Sequence, residues 1–339
     1  MKKVLITGGA GFIGHHVTDY FLKNTDCEIV ILDRLDFSGN LNRLTEILET
    51  QPHNKNRVKF IFHDLKAEIN PLVSNFIGNC DTILHLAAAS HVDRSITHPL
   101  EFLYDNTVGT VNLLEYARKQ DNLNKFLYFS TDEIFGAAPP GINYKEKDRY
   151  NSTNPYSASK ASAEEFCVAY ENTFKIPMII THTMNVFGER QTPEKFIPLC
   201  IKKVYNDEKV TIHSDPTKTF AGSRFYIHAN DVAIALLFLL QNNFKVEPDF
   251  GGAKCNKFNI VGKEEVDNLT LAKMIAAAQN KELKYEMVDF HSTRPGHDMR
   301  YSLSGELMKS LGFEPKISLL ERIKQVSDWY LKNPKWLQI

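Results

Sequence analysis

Six short apolar runs, at residues 4–6, 28–32, 59–62, 82–86, 126–130 and 178–181, alternate with segments long enough to be helices, among them 11–22 and 102–118. Short apolar runs of this kind are strands buried on both faces. Their alternation with helical segments predicts a parallel sheet covered by helices on both sides, the doubly wound α/β arrangement called the Rossmann fold. At 339 residues the chain exceeds one ordinary core, so a smaller domain is expected beside the large one. Beyond residue 185 the pattern turns irregular, with charged turns and a Pro/Gly-containing stretch at 215–222. The expected organisation is a cofactor domain over 1–185, a return to it around 225–245 through the apolar run 231–240, and a mixed substrate domain over 186–339.

The first apolar run leads into Gly9-x-Gly11-x-x-Gly14, which opens the first helix. After a strand and before a helix, such glycines permit a tight turn, let backbone approach a pyrophosphate, and let helix pack on sheet, while amides at the helix start face the phosphates. Gly8-x-x-Gly11-x-x-Gly14 is satisfied as well, and a bare turn without a ligand gives the same letters. Asp33, nineteen residues past Gly14, suits ribose hydroxyls and repels a 2′-phosphate, which favours NAD over NADP. Arg34 pulls the other way, because a guanidinium there can hold that phosphate. Asp64, after the third run, is placed either to reach the adenine or to stand as a solvated turn residue.

Pro155 suits the first turn of a helix capped by Asn154, which puts Tyr156 and Lys160 on one helical face. A phenol is a poor base near neutrality, and a neighbouring ammonium together with a positive nicotinamide ring favours the phenolate. An isolated pair of this kind is as readily an ordinary surface feature; the glycine loop upstream argues for a site. Thr131, Asp132 and Glu133 close the fifth run at its carboxyl end, where open α/β sheets bind ligands. Adjacent carboxyls in a cleft can be held at different pKa values, so that one is an acid and the other a base, as loss of water across a carbon–carbon bond requires. An ordinary helix start also carries such residues.

These motifs extend along most of the chain: TGGAGFIG at 7–14, LAAASHVDRSI at 86–96, STDEIFG at 130–136, YSASK at 156–160, PEKFIPL at 193–199, SRFYIHANDVA at 223–233 and RPGHDMRY at 294–301. Together they resemble the extended short-chain dehydrogenase/reductase family, and within it the nucleotide-sugar 4,6-dehydratases. Related epimerases and decarboxylases keep the Tyr/Lys pair without both carboxylates after the threonine. The resemblance implies that Tyr156 takes the proton of a sugar 4-hydroxyl held by Thr131 while hydride leaves C4 for NAD⁺. Glu133 then removes the C5 proton, Asp132 protonates the departing 6-hydroxyl, and the hydride returns to C6, giving a 4-keto-6-deoxy sugar. It places the cofactor against Gly8, Gly11, Phe12, Ile13, Gly14, Asp33, Asp64, Leu65, Leu86, Ala87, Ala88, Tyr156, Lys160 and Val186. The substrate contacts it implies are Ser90, Thr131, Asn185, Lys195, Phe196, Arg224, Asn259, Arg294 and His297, with Arg224 as a bidentate diphosphate clamp. A 4-epimerase or a 5,6-dehydratase on the same scaffold is the alternative, and a catalytically silent dinucleotide sensor the remote one.

The departures from that pattern fall on the substrate side: Ala89 in place of a glutamate, Val186 in place of an asparagine, Thr293 in place of an aspartate, and a longer loop at 213–223. They leave open the base and the C2 substituent among dTDP-glucose, UDP-glucose and UDP-N-acetylglucosamine; a small Ala89 makes room for an N-acetyl group. Extended members pair through a four-helix bundle, so a homodimer is expected, and Phe102, Tyr104, Leu113, Leu114 and Tyr116 read either as a packed helix face or as part of that pairing.

Forty basic against forty-one acidic side chains leave no broad positive field for nucleic acid or an anionic membrane. The five cysteines lack metal spacing and are odd in number, which predicts free thiols in a reducing, cytoplasmic compartment. The histidines are scattered without ligand spacing, so no metal is expected. No stretch approaches the length of a membrane span.

Overall fold

The computed structural model describes residues 1–244, 256–289 and 299–338. Its main sheet is built from β1 (Lys3–Thr7), β2 (Glu28–Asp33), β3 (Val58–Phe62), β4 (Thr82–His85), β5 (Lys125–Thr131), β6 (Met178–Thr183) and a seventh strand from far downstream. Between them and after come β7 (Asn185–Phe187), β8 (Val210–Ser214), β9 (Ser223–His228), β10 (Asn256–Ile260), β11 (Glu265–Asp267) and β12 (Tyr285–Asp289). The seven strands lie in the order β3-β2-β1-β4-β5-β6-β10, and every neighbouring pair is parallel. Order reverses between β1 and β4, where Thr7 lies opposite Leu32 on one side and His85 on the other. Ligands of such sheets bind outside the carboxyl ends at that reversal.

Both faces of the sheet are covered, which is why its strands read as unbroken apolar runs. On one face Val4, Ile6, Ile29 and Ile31 pack with the helices Phe12–Asn24 and Ala229–Gln241; on the other Leu5, Val30, Ile83 and Phe126 pack with Gly109–Ala117 and Pro155–Phe174. A separate core joins the helices Phe196–Tyr205, Asn268–Ala278 and Leu319–Lys332 around Ile201, Ile275 and Ile323. Beside it, β9 pairs parallel with β7 and antiparallel with β11, and β8 pairs parallel with β12, so this smaller part is mixed.

Within the expected return around 225–245 the helix Ala229–Gln241 packs on Phe12–Asn24, and farther on β10 enters the main sheet beside β6, with Ile260 opposite Thr183. The chain beyond 185 thus contributes a strand as well as a helix to the large domain.

A second difference concerns 102–118. The stretch is Pro99–Phe102, then a π-helical turn Leu103–Val108, then Gly109–Ala117. A π turn holds an extra residue, rotates the side chains that follow, and is common at functional sites. Phe102, Leu113, Leu114 and Tyr116 are buried in the fold, while Tyr104 is exposed.

Candidate active site

The carboxyl edge of the sheet opens into a cleft of about 310 Å³. At one end lies the glycine turn. The left-handed conformation falls on Gly8 (φ +71°), where an added Cβ would stand 2.8 Å from the Ala87 backbone; at Gly14 it would stand 2.2 Å from the Gly8 carbonyl oxygen. The tight turn thus belongs to Gly8, while Gly9 makes room for the Ile31 side chain. Gly11 caps the helix Phe12–Asn24 without a side-chain acceptor, as suits a helix end directed at phosphate.

Asp33, at the end of β2, is buried and accepts the Ala10 amide (3.0 Å) and the Leu35 amide (2.9 Å). Burial pushes its pKa up and those amides pull it back. Arg34 points to other partners: it bonds Asp36 and, at 2.6 and 2.7 Å, Asp105, with Asp64 3.5 Å away. A guanidinium neutralised by carboxylates has no call on a 2′-phosphate, so the residues fit NAD. Asp105 reaches Arg34 from the π turn. Its neighbour Asn106 clamps Ala89 by both backbone groups (2.8 and 3.0 Å) and donates to Ser159 (2.9 Å).

At the other end the helix Pro155–Phe174 begins in a capping box: the Asn154 side chain accepts the Ser157 amide, and the Ser157 hydroxyl accepts the Asn154 amide. Asn154 also donates its side-chain amide to Glu133 (3.3 Å), so the cap of the catalytic helix is tied to the acid pair. The turn Asp132–Phe135 is capped by Thr131, whose hydroxyl accepts the Glu133 amide and donates to Asp132 Oδ1 (3.0 Å). Burial pushes the Asp132 carboxyl up to about 6. Burial and the charge of Asp132 push Glu133 up to about 7, against the Asn154 amide. Loss of water thus brings both neighbouring carboxyls towards neutrality, where a carboxyl can serve as acid or as base.

Tyr156 is held well above its ordinary pKa by burial and by the facing Glu133. The Lys160 ammonium donates to the Phe129 carbonyl (2.7 Å) and lies 4.3 Å over the Tyr128 ring, and burial lowers it to about 8. Three buried polar atoms of residues that line the cleft, Ser130 Oγ, Asp132 Oδ2 and Thr183 Oγ1, have no partner among the described residues.

Gly8, Gly11, Phe12, Ile13, Gly14, Asp33, Asp64, Leu65, Leu86, Ala87, Ala88, Val186, Thr131, Asp132, Glu133, Tyr156, Lys160, Ser90, Asn185 and Lys195 all line this one cleft. Phe196, Arg224 and Asn259 do not. Phe196 packs on the C-terminal core. Arg224 is buried, donates to the Ser223 and Met299 carbonyls (2.7 and 2.8 Å) and stacks 4.6 Å from the Tyr301 ring; its charge is nevertheless felt by Asp132 and Glu133. Asn259 is fully buried, with its side-chain oxygen and amide both bonded within the protein. Arg294 and His297, with Thr293, lie outside the described residues. Asp105, Gln191 and Thr192 also line the cleft and carried no signal in the sequence, since a π turn and a distant loop bring them there. Among the described residues no cluster could hold a metal and no helix is long and apolar enough to cross a membrane.

The family model for GDP-mannose 4,6 dehydratase matches residues 5–326. The chain belongs to this family. It is 34% identical to the dTDP-glucose 4,6-dehydratase of Salmonella typhimurium, covering 99% of this chain and 94% of the relative. It is 36% identical to the dTDP-D-glucose 4,6-dehydratase of mouse, covering 98% of this chain and 89% of the relative. The fold superposes on the Streptomyces venezuelae dTDP-glucose 4,6-dehydratase DesIV, solved with NAD bound, with a TM-score of 0.85 at 29% identity, covering 98% of each chain. It also superposes on the UDP-glucose 4-epimerase of Thermus thermophilus, with a TM-score of 0.83 at 26% identity, covering 97% of this chain and 99% of the other. A dehydratase and an epimerase thus superpose on the same scaffold as this chain.

Proposed function

We propose that the protein catalyses the NAD-dependent 4,6-dehydration of a nucleotide-diphosphate hexose to its 4-keto-6-deoxy derivative. The observation that carries this reading is the adjacent buried carboxyls of Asp132 and Glu133, both raised towards neutrality, beside Tyr156 in the same cleft as the glycine turn and Asp33. An epimerase has no use for two such carboxyls.

Each residue has a task that its surroundings support. Thr131 and Tyr156 hold the 4-hydroxyl, and Tyr156 takes its proton. Lys160, protonated near neutrality and anchored to Phe129, supplies positive charge near the ribose end of the cofactor. When bound, NAD accepts the hydride and later gives it back. A ketone at C4 acidifies the C5 proton, which Glu133 removes; the Asn154 amide favours the charged form that a base needs. The family pattern assigns Asp132 as the acid for the departing 6-hydroxyl, and its Oδ1 accepts from Thr131. Water is excluded by burial, which also keeps both carboxyls near the working pH.

The Ala89 side chain packs with Val92, Phe102 and Tyr156, and its backbone is fixed by Asn106, so a methyl group rather than a longer side chain faces the sugar end. We assign the larger C2 substituents to this room. The exposed Leu100, Leu103 and Tyr104, with Phe166 on the catalytic helix, support a homodimer through these two helices. The buried free thiols Cys27, Cys80, Cys167 and Cys200 suit the cytoplasm.

Incubation with dTDP-glucose, UDP-glucose and UDP-N-acetylglucosamine, read by product mass, tests the reading. One of them loses the mass of one water and gains a ketone. Unchanged mass from all three overturns it, and a strict preference for unsubstituted glucose removes the Ala89 assignment.

A further inference from the structure

Behind the acid pair lies a second group of ionisable side chains that the reaction does not touch. Glu164, one helical turn after Lys160, and His182, near the end of β6, both have fully buried side chains. His182 Nε2 lies 3.1 and 3.2 Å from the two Glu164 oxygens, and Nδ1 lies 2.9 Å from Asn259 Oδ1.

The bonds fix the protons. Asn259 donates its amide to the Tyr144 and Ser304 carbonyls (3.0 and 3.1 Å), which can only accept, so its oxygen must face His182 and Nδ1 must carry hydrogen. Nε2 faces the Glu164 carboxylate, so both ring nitrogens are engaged within the protein.

It touches each catalytic segment. The Phe135 ring, in the same turn as Asp132 and Glu133, stands edge-on to the His182 ring at 5.0 Å. Glu164 shares the helix of Tyr156 and Lys160, and at this spacing its carboxylate lies on the same face as the ammonium.

We infer that Glu164 and His182 are positioning residues: they lock the helix of Tyr156 and Lys160 against the turn of Asp132 and Glu133, and the Glu164 carboxylate keeps Lys160 charged. Other groups facing the pair are Lys257 on β10 (3.1 Å from Glu164), Tyr150 and Glu146 before the catalytic helix, Cys167 on it, and Tyr128 on β5. Burial opposes the Glu164 charge, but His182, Lys257 and Tyr150 outweigh it and draw its pKa to about 2, so the carboxylate is charged throughout the working range. Burial lowers Lys160 to about 8, with Cys167 and Glu164 resisting, while its own charge bears on His85 of β4. A lysine poised there changes charge with small changes around it.

The role in catalysis rests on the dehydration reading above; the effect on Lys160 does not. Heteronuclear NMR of the Lys160 side chain in isotope-enriched protein, followed against pH, measures the second without turnover and needs no access to the buried amine. In Glu164→Gln the titration midpoint falls by about one unit, and in Glu164→Asp it stays with wild type. In His182→Gln it also stays, because the carboxylate remains, yet kcat falls about tenfold with KM within about twofold. The double variant Glu164→Gln/His182→Gln, which leaves no buried charge of the pair unmatched, regains the thermal stability lost by Glu164→Gln and keeps the midpoint shift, so it reads the same effect should the single variant not fold. An unshifted midpoint in both glutamine variants at Glu164, or a wild-type kcat in His182→Gln, overturns the inference. A wild-type protein that turns over no nucleotide hexose overturns the proposed function instead, and leaves the NMR result standing.

Discussion

The two ends of the cleft are built from different materials. The glycine end is made of backbone: Gly8 and Gly14 approach Ala87 and one another so closely that a single methyl group has no place, and Asp33 is held by two amides. The catalytic end is made of buried ionisable side chains, Asp132, Tyr156 and Lys160, each shifted by loss of water. Rigid backbone gives binding at little electrostatic cost, whereas the pKa values that chemistry needs are obtained by placing charge where it is least welcome. Substitutions should therefore separate binding from chemistry according to the end they touch.

The largest effect is expected at the catalytic end. Tyr156→Phe removes the proton acceptor and should lower kcat by about 10²–10⁴-fold. Bound NAD, measured by absorbance after denaturation, should stay at the wild-type level. Loss of both together would erase the contrast. At the glycine end Gly14→Ala should do the reverse: a Cβ 2.2 Å from a carbonyl oxygen forces the turn open. NAD affinity should weaken by about tenfold or more, each factor of ten being about 1.4 kcal/mol, in a calorimetric titration of the apoprotein.

How much of this contrast was legible beforehand differs between the ends in the same way. The glycine turn, the strand Lys125–Thr131 leading to the acid pair, and the capped helix beginning at Pro155 are local patterns, and local patterns survive in a sequence. Partnerships between distant segments do not. Arg34 read as a possible phosphate ligand because nothing nearby announced Asp105, seventy-one residues on and presented by a π turn. Asn259 was placed with the substrate by family pattern, but β10 enters the sheet beside β6 and seals it behind the active site. Helical spacing likewise brings Tyr156 and Lys160 to one face without deciding which neighbour each prefers, and the Lys160 ammonium takes the Phe129 carbonyl.

A pH experiment sharpens the comparison further. The folded pKa of Asp132 lies above its unfolded value, so the folded state binds more protons and stability falls as pH rises from about 4 to about 6, remaining lower above that. Asp132→Asn should then be more stable than wild type at pH 8, with a Tm gain of about 3–6 °C that shrinks towards pH 4, in differential scanning fluorimetry. A constant gain at all pH values would mean that charge burial is not its origin. No such pH dependence is expected for Gly14→Ala. The smallest effect is expected at Asn154→Ala, which removes a helix cap worth about 1 kcal/mol and frees Glu133 from its amide donor. Its signature is a modest fall in Tm together with an upward move of the acid limb of the kcat profile.

The account stands on hydride that leaves C4 and comes back within one active-site cycle. Nucleotide-activated glucose deuterated at C4 measures this most directly, with the product analysed by mass spectrometry and proton NMR. The account predicts a 4-ketone lacking one water, with the deuterium on C6 and no added oxidant consumed. Deuterium lost to solvent, or a product of unchanged mass with deuterium still on C4, would contradict it.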